Sequence, residues 1–120
     1  MRTALVADKD DRVRNIVRLV FEHIGYEVVS VWSGADAVLK AKEIKPDIVL
    51  IDVSLSDKDG YKISREIKND PLLKNTSVIL LTASPETFDK TKAVRARADD
   101  FIIKPLKGGE IAKKIEFLTN

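Results

Sequence analysis

Five short apolar runs constrain the fold of this chain more than any other feature of its sequence. They are rich in β-branched residues and almost uninterrupted, a pattern typical of parallel strands covered on both faces. Stretches with apolar residues at helical spacing separate them. The runs are Ala4–Ala7, Val28–Val31, Ile48–Ile51, Val78–Leu81 and Phe101–Ile103. Five strands alternating with five helices predict an α/β fold with a parallel sheet and right-handed crossovers.

Four of the five predicted helices carry a clear apolar stripe. Gly25 is expected to end the first helix and Pro46 the second. The fourth helix, over 86–96, has only Phe88 and Val94 as larger apolar residues, so it is expected to be weakly anchored and free to shift. The stripes are Val13, Ile16, Val17, Val20 and Ile24 in the first, Val38, Ala41 and Ile44 in the second, Ile63 and Ile67 in the third, and Ile111, Ile115 and Leu118 in the last.

Composition removes several classes of function. The chain has 120 residues, which fits one domain, and it has no cysteine, which excludes disulfides, thiolate zinc sites and cysteine nucleophiles. Its single histidine, His23, excludes a multi-histidine metal cage and is interpreted as structural. The net charge of +2 gives little support for direct nucleic-acid binding. No run approaches the roughly 20 apolar residues of a membrane span, and no signal peptide is evident, so a cytoplasmic location is expected.

Polar residues follow four of the predicted strands. Asp8-Lys9-Asp10-Asp11 follows the first, Asp52-Val53-Ser54 the third and Thr82 the fourth, while Lys104-Pro105 ends the fifth. Ligands of open parallel sheets bind at the carboxyl ends of the strands, so these side chains predict one site. Each has a simpler reading, such as a helix cap for Asp10. Asp52 is the hardest to explain in that way, because a carboxylate after four apolar residues is costly without a partner.

The order and spacing of these residues resemble a known family. Gly60 lies eight residues after Asp52, Thr82 thirty after it, and Lys104 a further twenty-two along, with Phe101 three residues before Lys104. In these features the whole chain, 1–120, is similar to a response-regulator receiver domain of two-component signalling. The resemblance implies a flavodoxin-like (βα)5 fold, doubly wound, with strand order 2-1-3-4-5. It also implies a signalling module rather than an enzyme, either free-standing or the N-terminal part of a longer protein.

The resemblance gives the strand-end residues chemical roles. Asp52 would accept a phosphoryl group from a phosphohistidine on a kinase or phosphotransfer protein, or from a small phosphodonor. Magnesium would be held by Asp8, Asp52 and the backbone carbonyl of Ser54, and would offset the repulsion between carboxylate and phosphate. Lys104 would pair with one phosphoryl oxygen as a point charge.

The resemblance also implies a conformational switch. Thr82 would hydrogen-bond a phosphoryl oxygen, and Phe101 would move inward as Thr82 shifts. The weak helix over 86–96 would then shift and change the surface formed by helix 4, strand 5 and helix 5, where a protein target or a second copy would bind. No membrane and no direct nucleic-acid contact is expected.

Lys9 departs from the family pattern, in which an acidic residue at that position ligates magnesium directly. Three explanations remain open. Asp10 swings in, or the loop slips by one residue; Lys9 acts as the counter-cation of Asp52 in place of the metal; or Lys9 points to solvent and magnesium binds weakly through Asp8, Asp52 and Ser54. Lys9 also keeps open an alternative function, a phosphorylation-independent receiver that acts only as a protein-interaction module.

Two other classes of function on similar sheets lack their key residues. A flavodoxin-type cofactor binder needs a phosphate loop after the first strand, where this chain has Asp8-Lys9-Asp10-Asp11. A phosphohydrolase of the haloacid-dehalogenase type needs a second acid where Ser54 stands. Trp32 is expected to lie away from the site, in packing or a surface contact. Four cations of the weak helix would be solvated or would dock an acidic partner on the face formed by helix 4, strand 5 and helix 5: Lys90, Lys92, Arg95 and Arg97.

Overall fold

Five parallel strands form one sheet at the centre of the computed structural model, which describes residues 1–119. The strands are β1 (Thr3–Ala7), β2 (Glu27–Val31), β3 (Ile48–Asp52), β4 (Ser77–Thr82) and β5 (Asp100–Ile103). Their order across the sheet is β2-β1-β3-β4-β5, and every neighbouring pair is parallel. The predicted fold class and strand order are therefore confirmed.

The strands differ in how far they are covered. In β1, β3 and β4 almost every residue is buried, as the apolar runs predict. For β2 and β5 that prediction is wrong, because only Val31 of β2 and Ile102 of β5 are buried. Both strands lie at the edges of the sheet, where the helices cover them less completely. A run of β-branched residues indicates a strand, but it does not distinguish an edge strand from a central one.

Helices connect successive strands, as predicted, and a short 3-10 helix at Pro71–Leu73 follows the third α-helix. The helix ends follow local chemistry. Asp10 caps α1 (Asp11–His23) by accepting the backbone N–H of Arg12, and Gly25 follows that helix at φ +93°. Lys45 closes α2 (Gly34–Ile44) in the left-handed region just before Pro46. No helix of residues 1–119 is long and apolar enough to cross a membrane. The helices are α1 (Asp11–His23), α2 (Gly34–Ile44), α3 (Gly60–Asn69), α4 (Lys90–Arg95) and α5 (Gly108–Thr119).

The core has two apolar layers, one on each face of the sheet. On one face α1 and α5 pack against it through Val17, Phe21, Ile111 and Ile115. On the other face α2 and α3 pack through residues that include Ala37, Ala41, Ile63 and Ile67. Helices on both faces of a parallel sheet make this a doubly wound α/β domain, whose ligand edge is at the carboxyl ends of the strands.

Helix α4 is the least anchored helix, as its sequence predicts, but it is shorter than the expected 86–96. It spans six residues, none of them buried. Two hydrogen bonds attach its ends to α3. Asp89 donates its backbone N–H to the Tyr61 hydroxyl at 2.9 Å, and the carbonyl of Ala96 accepts the Ser64 hydroxyl at 3.0 Å. A helix held at its ends and not by a buried face can move at small cost.

Candidate functional site

Three predicted site residues meet at the carboxyl edge of the sheet. Asp8 follows β1, Asp52 ends β3 and Lys104 follows β5. The Nζ atom of Lys104 lies 2.7 Å from Asp8 Oδ2 and 3.0 Å from Asp52 Oδ2. Asp8 is fully buried and Asp52 is 5% exposed. Two nearly buried carboxylates thus share one ammonium group, which compensates for part of the cost of burying them.

Burial and mutual charge set the protonation of this cluster. Burial, reinforced by the charge of Asp52, raises the pKa of Asp8, although the Lys104 ammonium opposes the change. Burial alone would lower the pKa of Lys104, but the two carboxylates outweigh it and raise that pKa. Lys104 therefore stays charged, and the site keeps a fixed cation beside Asp52. Asp8 Oδ2 accepts no well-aligned hydrogen bond among the described residues, despite the short distance to Nζ.

The end of β3 is packed directly against the start of α3. The backbone N–H of Ser54 donates to Asp52 Oδ1 at 2.8 Å, which orients the carboxylate. A Cβ atom on Gly60 would lie 2.4 Å from the carbonyl oxygen of Asp52 and 2.6 Å from Cα of Val53, closer than real Cβ contacts come. Glycine is therefore required at this close approach, which explains its place eight residues after Asp52.

The loop between β1 and α1 places Lys9 and Asp10 relative to the two buried carboxylates. Asp10 caps α1 and pairs with Arg12, while its backbone N–H donates to Asp8 Oδ1 at 2.9 Å. The described residues contain no group of three or more acidic or histidine side chains that could hold a metal, so Asp10 does not join Asp8 and Asp52. Lys9 is exposed and takes part in no ion pair of the described residues. Lys9 therefore faces solvent in this conformation, which is the side-chain position of the third arrangement.

Arg14 is part of this loop's structure, and reasoning from the sequence missed it. Its Nη1 donates to the backbone carbonyl of Asp8 at 2.5 Å, and its Nη2 pairs with Asp11. Its Cζ lies 5.5 Å from the centre of the Trp32 ring, a cation–π contact. The prediction that Trp32 lies away from the site needs correction, because Trp32 packs on the residue that holds Asp8. The available signal was its position directly after β2, which ends at the same edge of the sheet.

Thr82 and Phe101 lie at this edge but have other partners. Thr82 is buried, and its hydroxyl donates to the Ser84 carbonyl at 3.1 Å and accepts the Ser84 N–H at 3.2 Å. Phe101 is half-buried and stacks on Phe88 with the ring centres 4.5 Å apart. Phe88 in turn packs against Tyr61 at 5.8 Å. The sequence did not indicate this row of three rings, which connects β5 to α3 through the loop before α4.

The donor atoms at this edge are compatible with magnesium. Mg2+ is usually bound by one or two carboxylates, together with waters and phosphate oxygens. Asp8 and Asp52 supply two carboxylates, and the carbonyl of Ser54 would be a third protein ligand. The unaligned Oδ2 of Asp8 has acceptor capacity that a cation would use. The donor set fits the ion, with one carboxylate fewer than the family pattern because Lys9 replaces it.

The sheet order and the cluster of two carboxylates and an amine at its carboxyl edge define a class of doubly wound α/β domains with a charged site at the strand ends. Within that class, residues 4–116 match the family described as the response regulator receiver domain. The chain therefore belongs to that family, as its motif spacing suggested. Receiver domains are signalling domains of two-component systems, act with histidine kinases and downstream effectors, and bind Mg2+ in their active site.

Individual relatives agree with this assignment. The alkaline phosphatase synthesis transcriptional regulatory protein PhoP of Bacillus subtilis is 30% identical over 112 residues, which cover 93% of this chain and 46% of that protein. The transcriptional regulatory protein ResD of the same organism is 30% identical over 114 residues, which cover 95% of this chain and 46% of that protein. The chain thus spans about half the length of the curated relatives it matches.

Among solved structures, a response regulator from Chloroflexus aurantiacus superposes on this chain with a TM-score of 0.89 and 31% sequence identity. The superposition covers 98% of this chain and 96% of that response regulator.

Proposed function

We propose that this chain is a phosphorylatable receiver in which Asp52 is the phosphoacceptor. The observation that carries the proposal is the position of Lys104, whose Nζ lies 3.0 Å from Asp52 Oδ2 and 2.7 Å from Asp8 Oδ2. A fixed cation beside a nearly buried carboxylate is suited to an anion that gains further negative charge. The donor would be a phosphohistidine on a histidine kinase or phosphotransfer protein, or a small phosphodonor.

The transfer itself asks little covalent chemistry of the protein. An oxygen of Asp52 attacks phosphorus while the bond between phosphorus and the donor imidazole nitrogen breaks, and the imidazole leaves as the neutral ring after taking up a proton. Lys104 exchanges its contact with Asp52 for one with a phosphoryl oxygen. Asp8, Asp52 and the Ser54 carbonyl would hold Mg2+, which supplies charge neutralisation between carboxylate and phosphate. The chain modifies only itself in this reaction, so it acts as a signalling domain.

The switch would begin at Thr82. Its hydroxyl would leave the carbonyl of Ser84, to which it now donates at 3.1 Å, and would donate to a phosphoryl oxygen. Phe101 would then move inward and carry Phe88 with it, since the two rings are stacked. Because α4 has no buried residue, it would follow the loop, and the surface of α4, β5 and α5 would change for a protein target or a second copy.

The test is the intact mass of the protein after treatment with a small phosphodonor over a series of Mg2+ concentrations. We expect one phosphoryl adduct on the parent and none on the Asp52→Asn variant. Lys9→Asp should react at lower Mg2+ than the parent because it restores a carboxylate ligand. Lys9→Gln is the matched control, since it removes the charge without adding a ligand and should stay close to the parent.

One outcome would contradict the proposal, and another would contradict the role given to Lys9. If the parent gains no adduct at any Mg2+ concentration while binding its partner equally well with Asp52→Asn, the chain is a phosphorylation-independent interaction module. If Lys9→Asp reacts no better than Lys9→Gln, the missing carboxylate is not what limits magnesium binding.

A further inference from the structure

A basic groove lies between α3 and α4, beside the start of α3, and its lining does not include Asp8, Asp52 or Lys104. It encloses a cavity of about 200 Å3. Two cations come from each helix at a spacing of three residues, which is about 4.5 Å along a helix axis. The cavity, called here the α3–α4 groove, is lined by Asp59, Tyr61, Lys62, Arg65, Lys92, Arg95 and Ala96.

No ion pair among the described residues neutralises the cations of the α3–α4 groove. Lys62, Arg65, Lys92 and Arg95 form no ion pair in residues 1–119. Several other lysines do have partners, including Lys40 with Glu43, Lys58 with Glu66 and Lys114 with Asp100. The one carboxylate of the groove, on Asp59, caps α3 by accepting the N–H of Tyr61. Clustered like charges repel one another, and an anion bound among them would relieve that repulsion.

The shape of the groove and the state of Tyr61 narrow the choice of anion. Sites for drug-sized ligands are usually about 300–1,000 Å3, larger than this cavity. A nucleotide base would need a free aromatic face for stacking. Here the Nζ of Lys92 lies 5.9 Å from the centre of the Tyr61 ring, and the Tyr61 hydroxyl already accepts the N–H of Asp89. Carboxylates spaced along a polypeptide need neither a deep cavity nor a stacking platform.

We propose that the α3–α4 groove binds an acidic segment of a partner protein. The guanidinium groups of Arg65 and Arg95 would receive carboxylates in a forked geometry, with Lys62 and Lys92 as point charges beside them. The groove is separate from the α4–β5–α5 face. Lys90 and Phe101 line a different cavity, and Arg97 is turned toward the end of α3, where it donates to the carbonyl of Lys68.

The probe is a fluorescein-labelled peptide of alternating glutamate and glycine, titrated with the protein by fluorescence anisotropy at two salt concentrations. We expect Lys62→Gln/Arg65→Gln and Lys92→Gln/Arg95→Gln each to weaken binding by about tenfold. The matched control is Lys42→Gln/Lys107→Gln, which removes the same charge from exposed positions elsewhere and should change the affinity less than about twofold. Far-UV circular dichroism verifies that all variants are folded.

Three results would overturn the proposal. In the first, the parent fails to bind the acidic peptide. In the second, the control variant loses as much affinity as the groove variants, which would mean that the peptide is attracted by net charge alone. In the third, an oligouridylate probe binds more tightly than the peptide and depends on the same four cations, which would make the groove a nucleic-acid site. None of these readouts depends on phosphorylation of Asp52.

Discussion

Replacing Gly60 by alanine tests how tightly the strand that ends at Asp52 is packed against α3. The added Cβ would lie 2.4 Å from the Asp52 carbonyl oxygen, whereas ordinary contacts lie at 3.4–4 Å. Backbone atoms must therefore move by about 1 Å, and overpacking of this kind costs about 1–3 kcal/mol. Alanine favours a helix over glycine by up to about 1 kcal/mol, so the net loss should be about 1–2 kcal/mol.

Gly109→Ala is the matched control. It also introduces alanine in the first turn of a helix, but nothing lies within 4 Å of its Cβ. Only the smaller loss of backbone entropy on folding of alanine remains, so we expect Gly109→Ala to raise the free energy of unfolding by about 0.5–1 kcal/mol. Urea denaturation of the three proteins measures both effects as opposite shifts of the midpoint.

The phosphorylation rate provides a second readout for Gly60→Ala. The clash falls on the backbone of Asp52 itself, and a displacement of about 1 Å at a reacting group can lower a rate on the order of a hundredfold. We expect adduct formation by Gly60→Ala to be at least about tenfold slower than by Gly109→Ala. The reasoning is refuted if Gly60→Ala unfolds at or above the urea midpoint of the parent and is phosphorylated at the parent's rate.

Two further predictions follow from hydrogen bonds around the site. Asp57 accepts the first two N–H groups of α2, at 2.7 and 3.0 Å, and these bonds hold its pKa below the usual 3.8. The ionised Asp57 therefore contributes to stability above pH 3.8, and this contribution is lost as the pH falls through the lower pKa that Asp57 has in the folded protein. Asp57→Asn should lower the thermal midpoint at pH 7 and converge on the parent below pH 3.8, and a constant difference would contradict this. Arg14→Gln removes the cation over Trp32, so Trp32 emission should change and adduct formation should need more Mg2+. Unchanged emission together with an unchanged Mg2+ requirement would mean that Arg14 does not hold the loop.

The sequence predicts the sheet well, because the alternating segments indicate a parallel α/β sheet and the resemblance to receiver domains implies its strand order. Asp8, Asp52 and Lys104 meet as expected, since parallel strands bring their carboxyl ends to one edge. The exposure of the edge strands was not predictable from runs such as Val28–Val31, because burial depends on which helices lie over a strand.

Contacts between distant loops were beyond sequence reasoning. Nothing in the spacing of Arg14 and Trp32 indicates that one holds the backbone of Asp8 while resting on the other. The direction of Lys9 is decided by the same loop, where the N–H of Asp10 reaches back to Asp8. Whether a charged loop residue faces the site or the solvent depends on hydrogen bonds of the backbone, which residue types alone do not specify.

The hydroxyl of Thr82 has a thermodynamic consequence for any protein that contacts the loop after β4. The hydroxyl can donate one hydrogen bond, and it now donates that bond to the carbonyl of Ser84. Under the proposed mechanism, a phosphoryl oxygen and the resting loop would compete for this single donor. Because coupling free energies are reciprocal, a partner that holds Ser84 in its present position would disfavour the phosphorylated state by the same factor with which phosphorylation weakens the binding of that partner. The lifetime of the phosphorylated state would then report on which loop conformation a partner prefers.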